Sequence, residues 1–450
     1  MPLEKPANDD VKFIPQGILD TELYSDPGVL TTTDFAKIPD GLTSQQRINV
    51  KVSDEERLQY EKWIAKSGIY EDLYTNVPEK YTRFSYQLEE PNYKDETRDI
   101  HPFLTVGELS KRFENLIVKE KLSNYIRTNT TVVKVEKNSN KWVLTLRKYD
   151  LSTHSFEWYQ EEFDAVVIAN GHYSLPNIPH IDGLADYNKV FPEKLIHAKS
   201  YSNIDDFKGK KVLFVGNSIS GVSLIQYAFP VAKEVLVSRR GPHIAFPWVN
   251  DAIASNGIKL KPTIEKFLPK ENAILFSDGT KEYDVDLVVF ATGYHYHFPF
   301  FPKDNEYFKV KNASNLSWVS GFYLDDFSIK DPTLTAVGLT VTHLNFSSIE
   351  ASAAAIAGVW SNAKELPSNE VQEKWVSKRL EATGDNILFH YYKINEVKEG
   401  IIDQLLEFAP NGRNNPLEGG DQETKNLELG FKSSELLFYK FKDGKLTLKS

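Results

Sequence analysis

The sequence predicts an α/β protein with two dinucleotide-binding, Rossmann-like domains, one inserted in the other. Two observations carry this. Lys211 to Arg240 read as a complete strand, turn, helix and strand, and the string Asp164-Ala165-Val166-Val167-Ile168-Ala169-Asn170-Gly171 returns beyond that unit as Asp286-Leu287-Val288-Val289-Phe290-Ala291-Thr292-Gly293. Continuous apolar runs without alternation indicate strands buried on both faces, as in parallel sheets covered by helices, and a terminal Gly lets the chain leave where a ligand lies close. A single copy would suit any core strand; two copies flanking the unit point to paired dinucleotide folds.

Within the complete unit, an apolar strand (Lys211 to Val215) runs into the turn Gly216-Asn217-Ser218-Ile219-Ser220-Gly221 and then a helix. Small residues let the backbone approach a pyrophosphate, and the helix start points free N–H groups and the positive dipole end at the phosphates. About twenty residues on, the second strand ends in Ser238-Arg239-Arg240, where an acid would favour a ribose 2′-hydroxyl and arginine accommodates a 2′-phosphate. Two arginines and a serine stand there, so the unit reads as an NADPH site with Gly216, Asn217, Ser218, Ser220, Gly221, Ser238, Arg239 and Arg240 as ligands. A Gly-rich turn by itself also makes ordinary strand-to-helix corners.

Composition narrows the function classes. With 450 residues the chain exceeds one ordinary core, and the formal net charge of −10 argues against a nucleic-acid partner, which needs a basic face. The absence of cysteine removes every thiolate nucleophile, Cys metal site and redox dithiol, which excludes disulfide reductases built on paired dinucleotide folds. No stretch approaches the roughly 18 apolar residues that span a bilayer, and the first thirty residues are acidic and Pro-rich without an apolar core. The expectation is a soluble, cytoplasmic protein with no membrane partner.

The chain divides into an irregular segment (1–60), the first part of the outer dinucleotide-type domain (61–205), the NADPH domain (206–285), the second part of the outer domain (286–409), which the resemblance below makes FAD-type, and a C-terminal loop and tail (410–450). Turns are expected at Asp26-Pro27-Gly28 and Pro39-Asp40-Gly41, and a helix from Ser53 to about Ser67 opened by a Ser-x-x-Glu capping box. A helix from about Thr105 to Glu120 precedes a hairpin of Thr130 to Glu136 and Lys141 to Arg147. A strand-turn-strand between Pro262 and Asp284, turning at Ser277-Asp278-Gly279, closes the NADPH domain. Ser347-x-x-Glu350 reads as a capping box for an Ala-rich helix to about Ser361, followed by helices at about Glu370 to Ala382 and Asn395 to Phe408. Pro410 to Asn426, rich in Gly, Asn, Pro and acids, reads as a surface loop.

In order and spacing, these motifs resemble the flavin-containing monooxygenases, soluble fungal members above all, from about Ile69 to Ala355. Ile69-Tyr70-x-x-Leu73-x-Thr75-Asn76 with Pro78 and Lys80 is similar to the family's Thr-Asn segment; taken alone, Asn76 would equally suit a turn before proline. The resemblance implies that Asn76 is the catalytic residue, lying at the flavin edge and helping to hold a C4a-hydroperoxyflavin, with Thr75 beside it. Phe191-x-Glu193-x-x-x-His197-x-x-x-Tyr201 is similar to the family identifier, its Tyr matching N- and S-oxygenating members, although Glu193 stands where the family has Gly. Ser218 replaces the usual middle Gly and Ser223 a frequent Asp, while Ser238-Arg239-Arg240-Gly241 and the Ala291-Thr292-Gly293-Tyr294 segment match. The resemblance implies FAD and NADPH as cofactors, with Val132, Gly171, His197, Tyr201, Thr292 and Gly293 as further cofactor-binding residues. It implies a flavin-dependent N,N-dimethylaniline-type monooxygenase taking O2 and a small amine or sulfur substrate.

At the amino end the pattern departs. Family members begin with their own strand, Gly-x-Gly-x-x-Gly turn and helix for the FAD pyrophosphate, and residues 1 to 68 contain none of these, so the FAD-type domain is incomplete at its N-terminus. Two alternatives stay open: a degenerate, non-catalytic NADPH-binding relative, or an N-terminally truncated form of an active enzyme. His295-Tyr296-His297 could place two imidazoles on one face, but no third ligand stands nearby and no metal is expected. Ser347 and Ser348 read as capping residues, not nucleophiles.

Overall fold

The computed structural model describes residues 38–55, 57, 68–87, 90–302, 304–311, 318–417 and 421–447. The turn at Asp26-Pro27-Gly28 and most of the helix expected from Ser53 to Ser67 lie outside them; the turn at Asp40-Gly41 forms, with Gly41 at φ 77°.

A five-stranded parallel sheet orders its strands Ile258–Lys261, Glu234–Ser238, Lys211–Val215, Leu287–Phe290 and Leu195–His197. Alternate side chains feed two cores. Val212, Phe214, Val235, Val237 and Val289 face the helix Ile219–Ala228, whereas Leu213, Val215, Leu236, Val288 and Phe290 face a small antiparallel layer and the helix Leu184–Val190. That layer has three strands, Ile264–Leu268, Ala273–Phe276 and Lys281–Tyr283, one more than the sequence suggests, and Gly279 makes the expected turn at φ 79°.

This sheet corrects the expected domain boundaries. Leu287–Phe290, read as the return of the FAD-type domain at 286, lies second from the edge of the NADPH sheet, paired with Val212–Val215 and with Leu195–His197. Asp286 fixes the register, its backbone N–H donating to the Lys211 carbonyl while its carboxylate accepts from the Lys211 N–H at 2.8 Å. The unit therefore takes in strands on both sides of 206–285.

The twin string Val166–Ile168 lies in a different sheet, ordered Phe322–Tyr323, Phe327–Ser328, Leu334–Ala336 and Val166–Ile168, with only the last pair parallel. Burial on both faces is not general to the two strings. Leu287–Phe290 are all 3% exposed or less, whereas Val167 is 40% exposed. Beside this sheet packs a four-stranded antiparallel one, ordered Arg47–Lys51, Ser155–Phe163, Lys141–Asp150 and Thr130–Asn138. Its hairpin turns at Ser139 (φ 55°), and Val135, Trp142 and Ile168 share one core. The first strand falls in the segment expected to be irregular.

Four helices carry the argument below: α1 (Val106–Lys119), α2 (Ile219–Ala228), α3 (Asn345–Trp360) and α4 (Asp421–Lys442). Thr105 and Glu108 form a reciprocal capping box on α1, which satisfies two backbone donors. The box expected at Ser347 and Glu350 does not form. Helix α3 starts earlier, Ser348 Oγ donates to the Asn345 carbonyl, and Glu350 instead accepts from the Ser85 N–H and Oγ at 2.7 and 2.5 Å. Helix α4 overturns the loop reading from residue 421 onward: its Leu427, Phe438 and Phe441 are buried, and it lies along α2 and the helix Trp248–Ile253. The helix expected at Glu370 to Ala382 runs Asn369–Thr383, and that at Asn395 to Phe408 is a π turn, Lys398–Ile402, continued by Asp403–Leu406.

Candidate active site

The turn after Val215 is shaped by contact. Gly216 has φ 101°, and a Cβ there would meet the Ala291 carbonyl oxygen at 2.7 Å; at Gly221 it would meet the Gly216 carbonyl oxygen at 2.9 Å. Only glycine lets the two strand ends and the helix converge this tightly. Ser218 is the N-cap of α2, yet its hydroxyl makes no capping bond and lies 3.3 Å from His243 Nε2, so it is available to a phosphate. Ser220 is exposed in the first turn of α2, and Asn217 Nδ2 donates to the Gly241 carbonyl.

At the tip of the next strand, Arg239, Arg240, Gly241, Pro242, Leu260, Lys261 and Pro262 line a cavity of about 250 Å³. Arg239 Nη1 is buried with no hydrogen-bond partner among the described residues, a costly state unless a ligand supplies one. Ser238 has another role than expected: its Oγ donates to the Pro262 carbonyl at 2.7 Å and the residue is 3% exposed, so it pins the strand tip.

Thr292 and Gly293 form a junction with His197 and Asn177, in the segment 177–197 that leads into this sheet. Gly293, at φ 82°, presents its carbonyl to His197 Nε2 at 3.0 Å and to the Asn177 N–H at 2.9 Å, and Thr292 Oγ1 donates to the Asn177 carbonyl. Because His197 Nδ1 accepts from the Lys199 N–H, the proton sits on Nε2, and burial pushes the imidazole pKa down to about 3. His197 is thus a neutral pin. Tyr201 is 1% exposed, stacked on Phe207 at 4.9 Å and edge-on to Tyr70 at 5.0 Å, which makes it core. Glu193 is exposed and not among the residues with positive φ, so replacing the family's Gly strains nothing.

The Thr75-Asn76 segment is fastened to α2. Tyr74 Oη donates to Gln226 Oε1 at 3.1 Å, Tyr227 Oη donates to the Asp72 carbonyl at 2.7 Å, and Tyr70 bonds Ser223, the residue standing for the family's Asp. Thr75 N–H donates to the Leu104 carbonyl and Thr75 Oγ1 to the Val77 carbonyl, while Val77 packs with Leu344 at the entry to α3. Asn76 is left at the tip, exposed, with no side-chain bond among the described residues. Gly171 is likewise exposed, at φ 68° with open space around its Cα. Val132 borders a bulge in the hairpin and packs into the core that holds Ile168.

The structure thus groups Gly216, Gly221, Thr292, Gly293 and His197 at one strand end, and Arg239 with Arg240 at the next. Sequence reasoning missed His243, whose Nδ1 accepts from the Phe246 N–H and which follows directly on Arg240-Gly241-Pro242, and Lys261, which lines the same cavity while paired with Glu282 at 2.7 Å. For NADPH the residues present fit, since the glycine cradle admits a backbone-close phosphate and a buried guanidinium nitrogen awaits a partner. For FAD they offer Asn76, Gly171 and the start of α3; among the described residues there is no second glycine turn for the flavin's pyrophosphate.

A family model described as flavin-binding monooxygenase-like matches residues 65–257 and 246–411. The chain is 25% identical to flavin-containing monooxygenase ustF2 of Aspergillus flavus over 76% of this chain and 72% of that protein. It is 32% identical to flavin-containing monooxygenase FMO GS-OX5 of Arabidopsis thaliana, over 68% of this chain and 63% of the relative, so it spans less than two thirds of that protein. With the trimethylamine monooxygenase of Roseovarius it shares 29% over 75% of this chain and 71% of that one. The solved S-allyl-L-cysteine S-oxygenase of Allium sativum superimposes with TM-score 0.65 at 23% identity, covering 92% of this chain and 89% of that one, which shows a shared fold. Among the described residues no helix is long and apolar enough to cross a membrane. The chain belongs to the flavin-binding monooxygenase-like family, whose cofactors, FAD and NADPH, are the two expected from the sequence.

Proposed function

We propose that the protein is an FAD- and NADPH-dependent monooxygenase that transfers oxygen from O2 to the nitrogen or sulfur of a small, soft nucleophile. Family membership supports the reaction class, and the similarity to a trimethylamine monooxygenase supports an amine among the substrates. The single observation that carries the cofactor assignment is the cavity that Arg239, Arg240 and Lys261 line together, beside which Arg239 Nη1 has no hydrogen-bond partner among the described residues. In this reading the Gly216 to Gly221 backbone and the N-terminus of α2 hold the pyrophosphate, Ser218 Oγ donates to it, and the two arginines take the 2′-phosphate. Bound FAD, once reduced, supplies the oxygen activation. Asn76 presents a free carboxamide from a segment that Tyr74 and Tyr227 hold against α2, and His197 keeps the segment 177–197 on Gly293.

Replacing Arg239 and Arg240 by Ala tests the assignment. Each charge-assisted phosphate contact is worth about 1.5 to 3 kcal/mol, so NADPH affinity is expected to fall at least ~100-fold while NADH affinity stays within a few-fold. Equal loss for both nucleotides refutes the 2′-phosphate site. The 40% exposure of Val167, within the first Gly-ended string, favours a second reading: a chain that binds NADPH without retaining flavin. Visible flavin absorbance of the purified protein after incubation with FAD decides between the two.

A further inference from the structure

Helix α4 lies beyond residue 411, where the family match ends, and it touches the segment that carries Asn76, α2 and the loop after Arg239-Arg240. Near its start, Glu423 accepts from Lys80 Nζ and Tyr81 Oη, both at 2.6 Å. At its middle, Gly430 lies so close to Pro78, two residues from Asn76, that a Cβ would meet the proline Cγ at 2.5 Å. Toward its end Phe441 packs on Tyr74 and Tyr227, the two tyrosines that fasten the Asn76 segment to α2, with ring centroids 5.9 and 5.1 Å away.

Between these points stands a triangle of rings. Phe431 of α4 meets Phe246 at 5.4 Å and His343 at 5.1 Å, and Phe246 meets His343 at 4.5 Å. Each ring comes from a different part of the site. Phe246 is on the loop after Arg239-Arg240, tied to the phosphate turn through His243, which bonds the Phe246 N–H on one side and lies 3.3 Å from Ser218 Oγ on the other. His343 precedes α3 by two residues. The triangle therefore couples the phosphate turn, the entry to α3 and α4 through direct van der Waals contact, and α4 continues that coupling to Pro78.

We propose that α4 is a strap that sets the position of the NADPH-binding unit relative to the Asn76 segment, with Phe431 as its positioning residue. The proposal rests on the functional reading above. Phe431 is not among the residues lining the arginine cavity and reaches the phosphate turn through Phe246 and His243, so its effect falls on the placement of the bound nucleotide against the Asn76 side rather than on nucleotide affinity. Misplacement of reacting groups by about 1 Å costs on the order of 100-fold in rate.

The test uses the full chain with Phe431→Ala, with Phe431→Leu as the conservative rescue, and Gly430→Ala, which acts at Pro78 and not at the rings. NADP+ affinity, titrated by protein fluorescence, is expected to stay within about threefold in all three. Amide hydrogen exchange is expected to rise together at Thr75, Asn76 and Val77 and at Ala245, Phe246 and Trp248 in F431A and G430A, with strand 211–215 unchanged, and to return toward the parent in F431L. In protein loaded with FAD, anaerobic reduction by NADPH is expected to slow by ~10- to 100-fold in F431A and G430A. Exchange that rises only within α4, or NADP+ affinity that falls while reduction keeps its rate, overturns the proposal. If no flavin binds, the functional reading fails, and the exchange experiment still decides the strap.

Discussion

The strand that ends at Gly293 and the strand that ends at Gly171 carry nearly the same string, yet their surroundings differ. Leu287–Phe290 has a parallel neighbour on each side, a core against each face, and a terminus held by His197, Asn177 and the Ala291 contact with Gly216. Val166–Ile168 is an edge strand among the described residues, paired only with Leu334–Ala336, with Val167 40% exposed and nothing within 4 Å of a Cβ built on Gly171. Helix α1, earlier in the same part of the chain, behaves alike: Phe113 and Val118 are 39% and 74% exposed, and only Arg112 is fully buried. An apolar run records a strand's capacity to be buried on both faces; the neighbours decide whether that capacity is used.

Substitution in the middle of each strand should separate the two most widely. Val289→Asp puts a carboxylate into the apolar core against α2, and burying it unpaired should cost more than about 4 kcal/mol, enough to leave little folded protein. Val167→Asp, at the matching position of the exposed strand, should cost under about 1 kcal/mol by denaturant unfolding. Comparable losses would mean that Val167 is covered in solution and would abolish the contrast. The glycines give the next largest difference. Gly216→Ala drives a Cβ into the Ala291 carbonyl at 2.7 Å and keeps φ 101°, so both stability and NADP+ affinity should fall. Gly171→Ala meets open space and only the left-handed backbone penalty of about 1 to 2 kcal/mol, leaving NADP+ affinity unchanged.

The same contrast explains what the sequence made legible. Lys211 to Arg240 could be read because strand, turn, helix and arginine pair are contiguous and each imposes its own local pattern. The sheet to which Leu287–Phe290 belongs could not, since membership rests on the Leu287 to Val212 register and not on the strand's own residues. Ser347 and Glu350 satisfy a capping pattern, but Ser85 offers Glu350 two donors from 265 positions away. Helix α4 was hidden by the Gly, Asn and Pro content before Asn426, although Leu427, Phe431, Ser434, Phe438 and Phe441 beyond it repeat at helical spacing. In the site, Arg239 and Asn76 were visible by motif. Tyr70, Tyr74 and Gln226, which fasten the Asn76 segment to α2, are of types that equally serve any core.

The smallest expected effect concerns how the Gly293 end is held, and it appears as a pH dependence. His197 bonds Gly293 through Nε2, and burial lowers its pKa from an ordinary 6.5 to about 3. The folded protein therefore binds fewer protons at this residue than the unfolded chain between these values, and stability contributed by the neutral form is full above pH 6.5 and lost as pH falls toward 3. Parent protein should lose unfolding free energy progressively from pH 7 to pH 5. His197→Gln can keep one hydrogen bond to Gly293 but has no proton to take up, so its loss over the same interval should be smaller, whatever its stability at pH 7. An unchanged slope would mean that His197 is not the group excluding a proton there. Among the described residues none at the Gly171 end accepts a comparable bond from His172, whose imidazole is also held low, at about 4, by burial; His172→Gln controls for a buried histidine that does not pin a glycine. If both variants flatten the slope equally, burial alone accounts for the titration, and the bond to Gly293 adds nothing that the other strand end lacks.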